Sequence, residues 1–311
     1  MKFSAILALL TSASAAYAHA TVRAVFINGV DQGNGENTYI RSPPNNFPVK
    51  DLNSDAVACN VNNRPVSKTL PVSGGDVITF EFTHERRGGD IISPTHKGSV
   101  GVFAAPTSSN GQGPVWVKLH QEVYTNGQWA TDKLIQNGGH VSITVPNLKA
   151  GEYLFRPEII ALHESDTAYN ANPARGVQLY MECIQFKVVS SGSISLPAGI
   201  DFKKSYTYAD KGLVFDLYRP GAGMAYVPPG GPVSSIAAAN RGIGPVPAGY
   251  RRMSKQRYAA AVGKPSNKRP GPSGATVAKF GQCGGRNYSG PTRCASGFVC
   301  KFSSQWYSSC V

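Results

Sequence analysis

Four of the chain's six cysteines fall in its last 33 residues, 279–311, while Cys59 and Cys183 lie far upstream. A unit that small cannot bury enough apolar surface to hold itself together, and two disulfides would supply the missing constraint. The cysteines therefore divide the chain into a small stapled module and a larger body in which Cys59 and Cys183 are left as a pair. Disulfides need an oxidising compartment, and the N-terminus reads as an export signal. Met1-Lys2 gives a basic start, residues 3–10 an apolar run, and Ala16-Tyr17-Ala18 the small-x-small pattern of a cleavage site. Ala18-His19-Ala20 has the same form, so two cuts are open. A cut after Ala18 makes His19 the first residue, with an imidazole and a free α-amine. The apolar run is too short to span a membrane permanently, and no later stretch is apolar enough. The expectation is a secreted, extracellular chain.

Net charge sharpens the division. The total is +13, yet no Asp or Glu follows Asp216, and 13 Lys+Arg lie beyond it. The first 216 residues balance 18 basic against 18 acidic groups. A nucleic-acid binder would carry its excess through the folded body, so no nucleic-acid partner is expected.

Residues 19–232 read as one β-rich domain. Ile78, Phe80 and Phe82 alternate with Thr79 and Glu81, and Val141, Ile143 and Val145 alternate with Ser142 and Thr144. Turn clusters such as Asn137-Gly138-Gly139 separate such runs. No long helical periodicity interrupts them. Many short strands with Gly- and Pro-rich turns predict an all-β, antiparallel sandwich.

Residues 233–278 change character. They are rich in Pro, Gly and Ala, hold eight Lys+Arg, and contain no acid, no Cys and only six Ser+Thr. The composition predicts a linker. It is either a solvated spacer or a basic segment that adds attraction to anionic polymer.

The last 33 residues carry Phe280-Gly281-Gln282-Cys283-Gly284-Gly285, Tyr288-Ser289-Gly290-Pro291, Cys294, Cys300 and Trp306-Tyr307-Ser308-Ser309-Cys310. This pattern resembles the fungal family 1 carbohydrate-binding module. The resemblance implies bridges Cys283–Cys300 and Cys294–Cys310 and a flat cellulose-binding face of Phe280, Trp306 and Tyr307, helped by Gln282 and Gln305. The chemistry agrees, because exposed rings stack on flat pyranose faces with large contact area and little entropy loss. Trp306 and Tyr307 are adjacent in a strand, so they cannot both point into a core. Asn287-Tyr288-Ser289 is a glycosylation sequon.

The six histidines are His19, His84, His96, His120, His140 and His163, with no HExxH pair. His96 lies in Ser93-Pro94-Thr95-His96-Lys97-Gly98, a loop leading into a strand. Gln178 and Tyr180 share one face of a strand, Leu179, Met181 and Cys183 the other. That arrangement is compatible with a polar site on the strand's outer face, or with a tyrosine filling a sheet surface.

Together with a His N-terminus, Asp132-Lys133-Leu134-Ile135, Glu158-Ile159-Ile160-Ala161-Leu162-His163 and Gln178-Leu179-Tyr180-Met181-Glu182-Cys183 resemble the fungal auxiliary-activity family 9 lytic polysaccharide monooxygenases, over residues 19 to about 232. The resemblance implies an immunoglobulin/fibronectin-like sandwich with one copper ion. The His19 amine and ring and the His96 ring would give three nitrogens, and Tyr180 an oxygen. His163 and Gln178 would hydrogen-bond to oxygen species beside it. Such a nitrogen set suits Cu(II) and tolerates Cu(I). His84, His120 and His140 are expected to take no part in holding the metal. Ser99 and Pro157 depart from the family pattern, the first beside a ligand, and are expected to retune loops. The 14 residues between His163 and Gln178, more than in many of the family, predict an enlarged loop next to the metal. A late loop carries Tyr206, expected to stack on substrate.

The implied activity is oxidative cleavage of β-1,4-glucan in cellulose, at C1 and/or C4, with an electron donor and O2 or H2O2. Other β-glucans or hemicelluloses are further candidate partners, and the chain is expected to act as a monomer. Two other classes compete. A glycoside hydrolase needs two carboxylates flanking the bond, and Glu158, Glu164 and Asp166 are available without an evident pair. A non-catalytic cellulose-binding or copper-holding protein would need only the module or the ligands.

Overall fold

The computed structural model describes residues 19–238, 241–244, 276–278, 282–284, 290–304 and 307–310. The expected export signal lies outside the described residues, as does most of the expected linker. The chain forms two compact units, divided at residue 255.

The first unit is a β-sandwich. One sheet has the order β14-β10-β5-β1-β2, with β1 Thr21–Ile27, β2 Val30–Asp31, β5 Val77–Thr83, β10 His140–Thr144 and β14 Gly242–Ile243. The other follows the path β3-β13-β11-β6-β7, with β3 Ile40–Arg41, β6 Gly98–Pro106, β7 Val117–Glu122, β11 Gly151–Ala161 and β13 Cys183–Val188. To it β12, Gln178–Met181, adds on β11, and β4, Leu70–Val72, on β13. β1 turns into β2 through Asn28 and Gly29, at φ 49° and 81°. That pair of positive φ values matches the right-handed twist of a two-residue hairpin.

Alternation explains the inner faces. Ile78, Phe80 and Phe82 from one sheet meet Val100, Val102, Phe155, Ile159 and Phe186 from the other. The seven-stranded sheet is also covered on its outer side, which alternation does not reveal. There Leu154, Ile160, Leu179 and Met181 pack under Trp116, Trp129, Phe202, Tyr206, Phe215 and Tyr226. Short helices α1 (Ala56–Cys59), α3 (Phe202–Ser205) and α4 (Ala222–Ala225) belong to this cover. A small antiparallel pair, β8 (Tyr124–Thr125) and β9 (Gln128–Trp129), leads into a further helix, α2, which spans Ala130–Gln136. The Cys59–Cys183 disulfide ties α1 to the start of β13.

Arg156, Glu158 and Tyr206 form a hydrogen-bonded cluster inside the second core. Arg156 donates to Glu158 at 2.7 Å and to the backbone oxygens of Ala58 and Val57 at 2.6 and 2.9 Å, and lies 3.9 Å from the centre of the Phe202 ring. Tyr206 donates to the other oxygen of Glu158 at 2.7 Å. Tyr206 is therefore not a surface platform. It is 1% exposed, and the expectation that it stacks on substrate is overturned: its hydroxyl is needed where a buried carboxylate has a second oxygen to satisfy. Pro157 falls where β11 changes its pairing from β13 to β12, a place where a strand tolerates proline.

The stretch expected to be linker begins inside the sandwich. Ile236, Ala237 and Ile243 pack on the core, Ser234 N donates to Lys118 O at 2.8 Å, and Gly242–Ile243 adds an edge strand to β10. Among the described residues no helix is long and apolar enough to cross a membrane.

In the second unit β16 (Gln282–Gly284), β18 (Cys300–Ser304) and β19 (Tyr307–Cys310) form a sheet in the order β16-β19-β18, and β15 (Thr276–Val277) pairs parallel with β17 (Arg293–Cys294). Disulfides join Cys283 to Cys300 and Cys294 to Cys310. Phe280, Gln305, Trp306 and Asn287 lie outside the described residues, as does the side chain of Tyr307.

Arg156→Met will leave Glu158 buried without its cation and will lower the unfolding free energy by about 3–5 kcal/mol. Urea unfolding checks this. The double variant with Glu158→Gln regains part of the loss, and an unchanged single variant would mean the pair is not stabilised by mutual charge.

Candidate metal centre

Several chain segments meet at one end of the sandwich. β1 and β6 begin there, β11 ends there, and β12 begins there. The residue flanking or opening each element is His19, His96, His163 and Gln178. The ring centres of His19, His96 and Tyr180 are mutually 5.8 to 6.1 Å apart. His163 stacks on His96 at 3.8 Å.

Each ring is gripped by local structure. His96 sits in a tight turn, its N–H bonded to Ser93 O at 3.0 Å, and Lys97 O accepts from Leu162 N at 2.8 Å. Gly98 allows that approach, since a Cβ there would stand 1.8 Å from Ile160 O. Lys97 pairs with Asp132 on α2. At the other strand, Thr21 pairs with Thr83, so His19 falls beside His84. The Nδ1 of His84 bonds to the carbonyl oxygen of His19 at 2.5 Å, and Asn46 Nδ2 donates to His84 O at 3.2 Å. His84, expected to take no part in holding the metal, holds the backbone of a candidate ligand. His120 lies beside Glu122, at 3.3 Å, and His140 bonds to Asn137 O at 3.0 Å.

Gln178 and Tyr180 do share a face, but it is the inner one. Tyr180 is 1% exposed within the inter-sheet core, and its hydroxyl donates to Gln178 Oε1. The expected outer-face site is corrected: the outer face of β12 is occupied by Leu179 and Met181 under the second core. A polar pair can sit inward only because the sandwich opens at this end.

Burial keeps these groups uncharged. It lowers His96 to about 3, with His163 and His19 opposing a further positive charge. It also lowers His163, and lowers His19 with help from His84 and His163. Burial, with Glu164 nearby, holds Tyr180 well above its ordinary value, so it stays a phenol. Neutral imidazoles keep lone pairs for a metal. His96 Nε2 is buried and makes no hydrogen bond of sound geometry among the described residues, the Gln178 side chain lying close beside it, which fits a nitrogen awaiting a metal. The one close trio of His, Cys or carboxylate donors among the described residues is Cys283, Cys294 and Cys310, all tied in disulfides.

Four neighbours escaped the sequence. Glu164 Oε2 accepts from Gln178 Nε2 at 2.9 Å and from Lys50 Nζ at 3.4 Å. Phe47 is 64% exposed and meets the His19 ring edge-on at 5.9 Å, while Tyr218 is 69% exposed and donates to His163 O at 3.1 Å. Only the adjacency of Glu164 to His163 offered a signal; Lys50, Phe47 and Tyr218 arrive from loops distant in sequence. Two of the three carboxylates weighed for hydrolysis are already engaged. Glu158 is sealed in the second core, and Asp166 pairs with Arg175.

Acid will destabilise the metal-free protein. His96 at about 3 and His140 at about 4 remain neutral when folded, whereas unfolded imidazoles protonate near 6.5. Unfolding thus takes up protons below 6.5, and their stabilisation, complete above that pH, is lost as pH falls, at up to about 1.4 kcal/mol per pH unit for each ring. Glu182, raised to about 8 by burial, acts oppositely. Its contribution is present below its ordinary 4.5 and lost as pH rises through 8, so between 4.5 and 6.5 it offsets one of the two rings. Denaturant midpoints measured from pH 7 to pH 4 will fall; a flat profile would show these rings are not held neutral.

The model of Auxiliary Activity family 9, formerly GH61, matches residues 19–226, and that of the fungal cellulose binding domain matches residues 279–307. The AA9 family lytic polysaccharide monooxygenase C of Aspergillus fumigatus is 42% identical over 98% of both chains. The AA9 family lytic polysaccharide monooxygenase A of Phanerochaete carnosa is 46% identical over 75% of this chain and 88% of its own. The solved structure of CvAA9A aligns with a TM-score of 0.68 at 44% identity, covering 71% of this chain and all of that one.

Proposed function

The chain belongs to Auxiliary Activity family 9, and we propose that it is a secreted, copper-dependent monooxygenase that cleaves β-1,4-glucan chains of cellulose by C1 and/or C4 hydroxylation. The observation that carries this reading is the triangle of His19, His96 and Tyr180 rings around a buried, unpaired His96 Nε2. His19, His96 and Tyr180 would hold the ion, with the His19 amine freed by cleavage after Ala18. Copper bound there would supply one-electron chemistry with O2 or H2O2 and an external electron donor, strong enough to hydroxylate a C–H beside the glycosidic bond.

The chain's own groups do the rest. The turn at residues 93–97 and the clamp on Gly98 fix the His96 ring before any metal arrives, so little ordering entropy remains to be lost. Burial keeps both histidines unprotonated, and a phenol at Tyr180 offers oxygen lone pairs without a second negative charge. His163 and Gln178 stand beside the ligands as polar groups that orient a small oxygen-containing molecule by hydrogen bonding. Phe47 and Tyr218 flank the centre as exposed rings suited to sugar faces. The module at 279–307 would hold the enzyme on cellulose and so raise its effective concentration there.

Incubation of the copper-loaded mature enzyme with cellulose, with and without reductant, tests the reading. Aldonic acid or gem-diol chain ends are expected with reductant alone. Neutral sugars made without reductant would point to hydrolysis, and tight copper binding without products to a copper-holding role. His96→Ala will abolish copper binding in calorimetry, whereas His163→Ala will retain it. Deletion of residues 279–311 will weaken depletion of the protein by crystalline cellulose and leave copper binding unchanged.

A further inference from the structure

The hydrogen bonds behind the histidines continue outward to a pair that the ligand set does not explain. Glu164 accepts from Gln178 Nε2 at 2.9 Å and from Lys50 Nζ at 3.4 Å through the same oxygen. An ionised carboxylate can only accept, so it selects the NH2 end of the Gln178 amide. The carbonyl end is thereby turned to Tyr180, whose hydroxyl donates to it. A phenol has one proton. Once that proton is committed to Gln178, the oxygen's remaining lone pairs face elsewhere. With the amide turned over, its NH2 would donate to the Tyr180 oxygen and occupy a lone pair.

Glu164 is itself held. Its backbone oxygen accepts from Gly176 N at 2.8 Å. Lys50 Nζ also donates to Ala174 O at 3.3 Å and Pro173 O at 3.5 Å, and lies 5.9 Å from the centre of the Tyr169 ring. One ammonium thus pins the loop between His163 and Gln178 and neutralises the carboxylate that reads the amide. The side chains of Lys50 and Glu164 are 19% and 29% exposed, more sheltered than a surface pair. Lysine suits the place, since three donors on a flexible stem serve three acceptors of different direction.

We propose that Glu164 and Lys50 are positioning residues that fix the orientation of the Gln178 amide and, through it, the direction in which Tyr180 points its proton. The proposal rests on the copper reading only for what the Tyr180 oxygen is used for; the orientation of the amide needs no metal.

The test uses the full mature chain labelled with 15N at glutamine. In the metal-free protein the side-chain amide of Gln178, assigned by its disappearance in Gln178→Asn, will show one proton shifted downfield by the carboxylate. Glu164→Leu will remove that shift, and so will Glu164→Gln, a smaller change that guards against misfolding. Lys50→Met will broaden or displace the signal, and Lys50→Arg will restore it. In copper-loaded protein, Glu164→Leu will alter the Cu(II) paramagnetic resonance spectrum and lower turnover about tenfold, with substrate KM little changed. An unmoved Gln178 amide in both folded Glu164 variants would overturn the proposal, as would a Lys50→Arg spectrum no better than that of Lys50→Met. Should the amide behave as expected while no copper binds to the native chain, the positioning stands and the copper reading falls.

Discussion

The site depends on where the first strand is tied. Chain ends fray unless something holds them, and the residue that would carry the free amine is two positions before β1. The rung Thr21–Thr83 sets that strand's end, and the His84 bond to His19 O carries the constraint two residues further. A second tie acts just inside. β1 is irregular between Val22 and Ala24, and Val22 N donates to the buried carboxyl group of Glu182, at 2.9 Å. Glu182 is the single residue between β12 and β13, two positions after Tyr180. The same bond therefore links the strand that delivers His19 to the segment that delivers Tyr180.

The seven-stranded sheet supplies the rigidity behind those ends. β11 is buried on both faces, which an antiparallel strand with one wet face would not be. Its outer face carries Leu154 and Ile160, whose burial drives the cover of loop residues and short helices, and Arg156 and Glu158 are enclosed with them as a pair. That cover brings Tyr218 to the backbone of His163 and Tyr226 to Ser99, whose hydroxyls lie 3.4 Å apart. Ser99 is thus accommodated as a buried hydroxyl, three residues beyond His96, without disturbing the turn that holds the ring.

This double burial also explains what could be read from the sequence and what could not. Period-two alternation identified the inner faces of β5 and β10 correctly, because there the opposite residues are Thr, Ser and Glu. It failed for β12. Gln178 and Tyr180 share a face as the pattern requires, but with both faces buried nothing local says which is inward. Tyr206 was misplaced for the same reason: its loop is part of a core that has no periodicity of its own. Residues 234–244 looked like linker because a two-residue strand, Gly242–Ile243, is too short to show alternation. His19 and His96 were singled out through the family resemblance, since a histidine taken alone is more often structural, and the fold does bring their rings within 6.0 Å. Lys50 and Glu164 were not, since a charge pair 114 positions apart is formed only by the fold.

Unpaired buried nitrogen is not by itself a mark of function here, and the other histidines show why. His120 also has a buried Nε2 without a geometrically sound hydrogen bond, yet Glu122 stands 3.3 Å away and is in turn bonded to Ile243 N at 2.7 Å and Lys133 at 3.5 Å. That cluster has an anion to meet a proton and serves to fasten the edge strand. His96 and His163 have the opposite surroundings. Each faces another imidazole, and the nearest carboxylate, Glu164, is already committed to Gln178 and Lys50. A proton taken up there would meet repulsion from its neighbours and little compensation. An unsatisfied buried nitrogen costs about 1–3 kcal/mol. Either a metal cation or the O–H of a buried water can take such a lone pair without protonating the ring, so what these surroundings disfavour is the imidazolium, and the lone pairs stay free for such a partner.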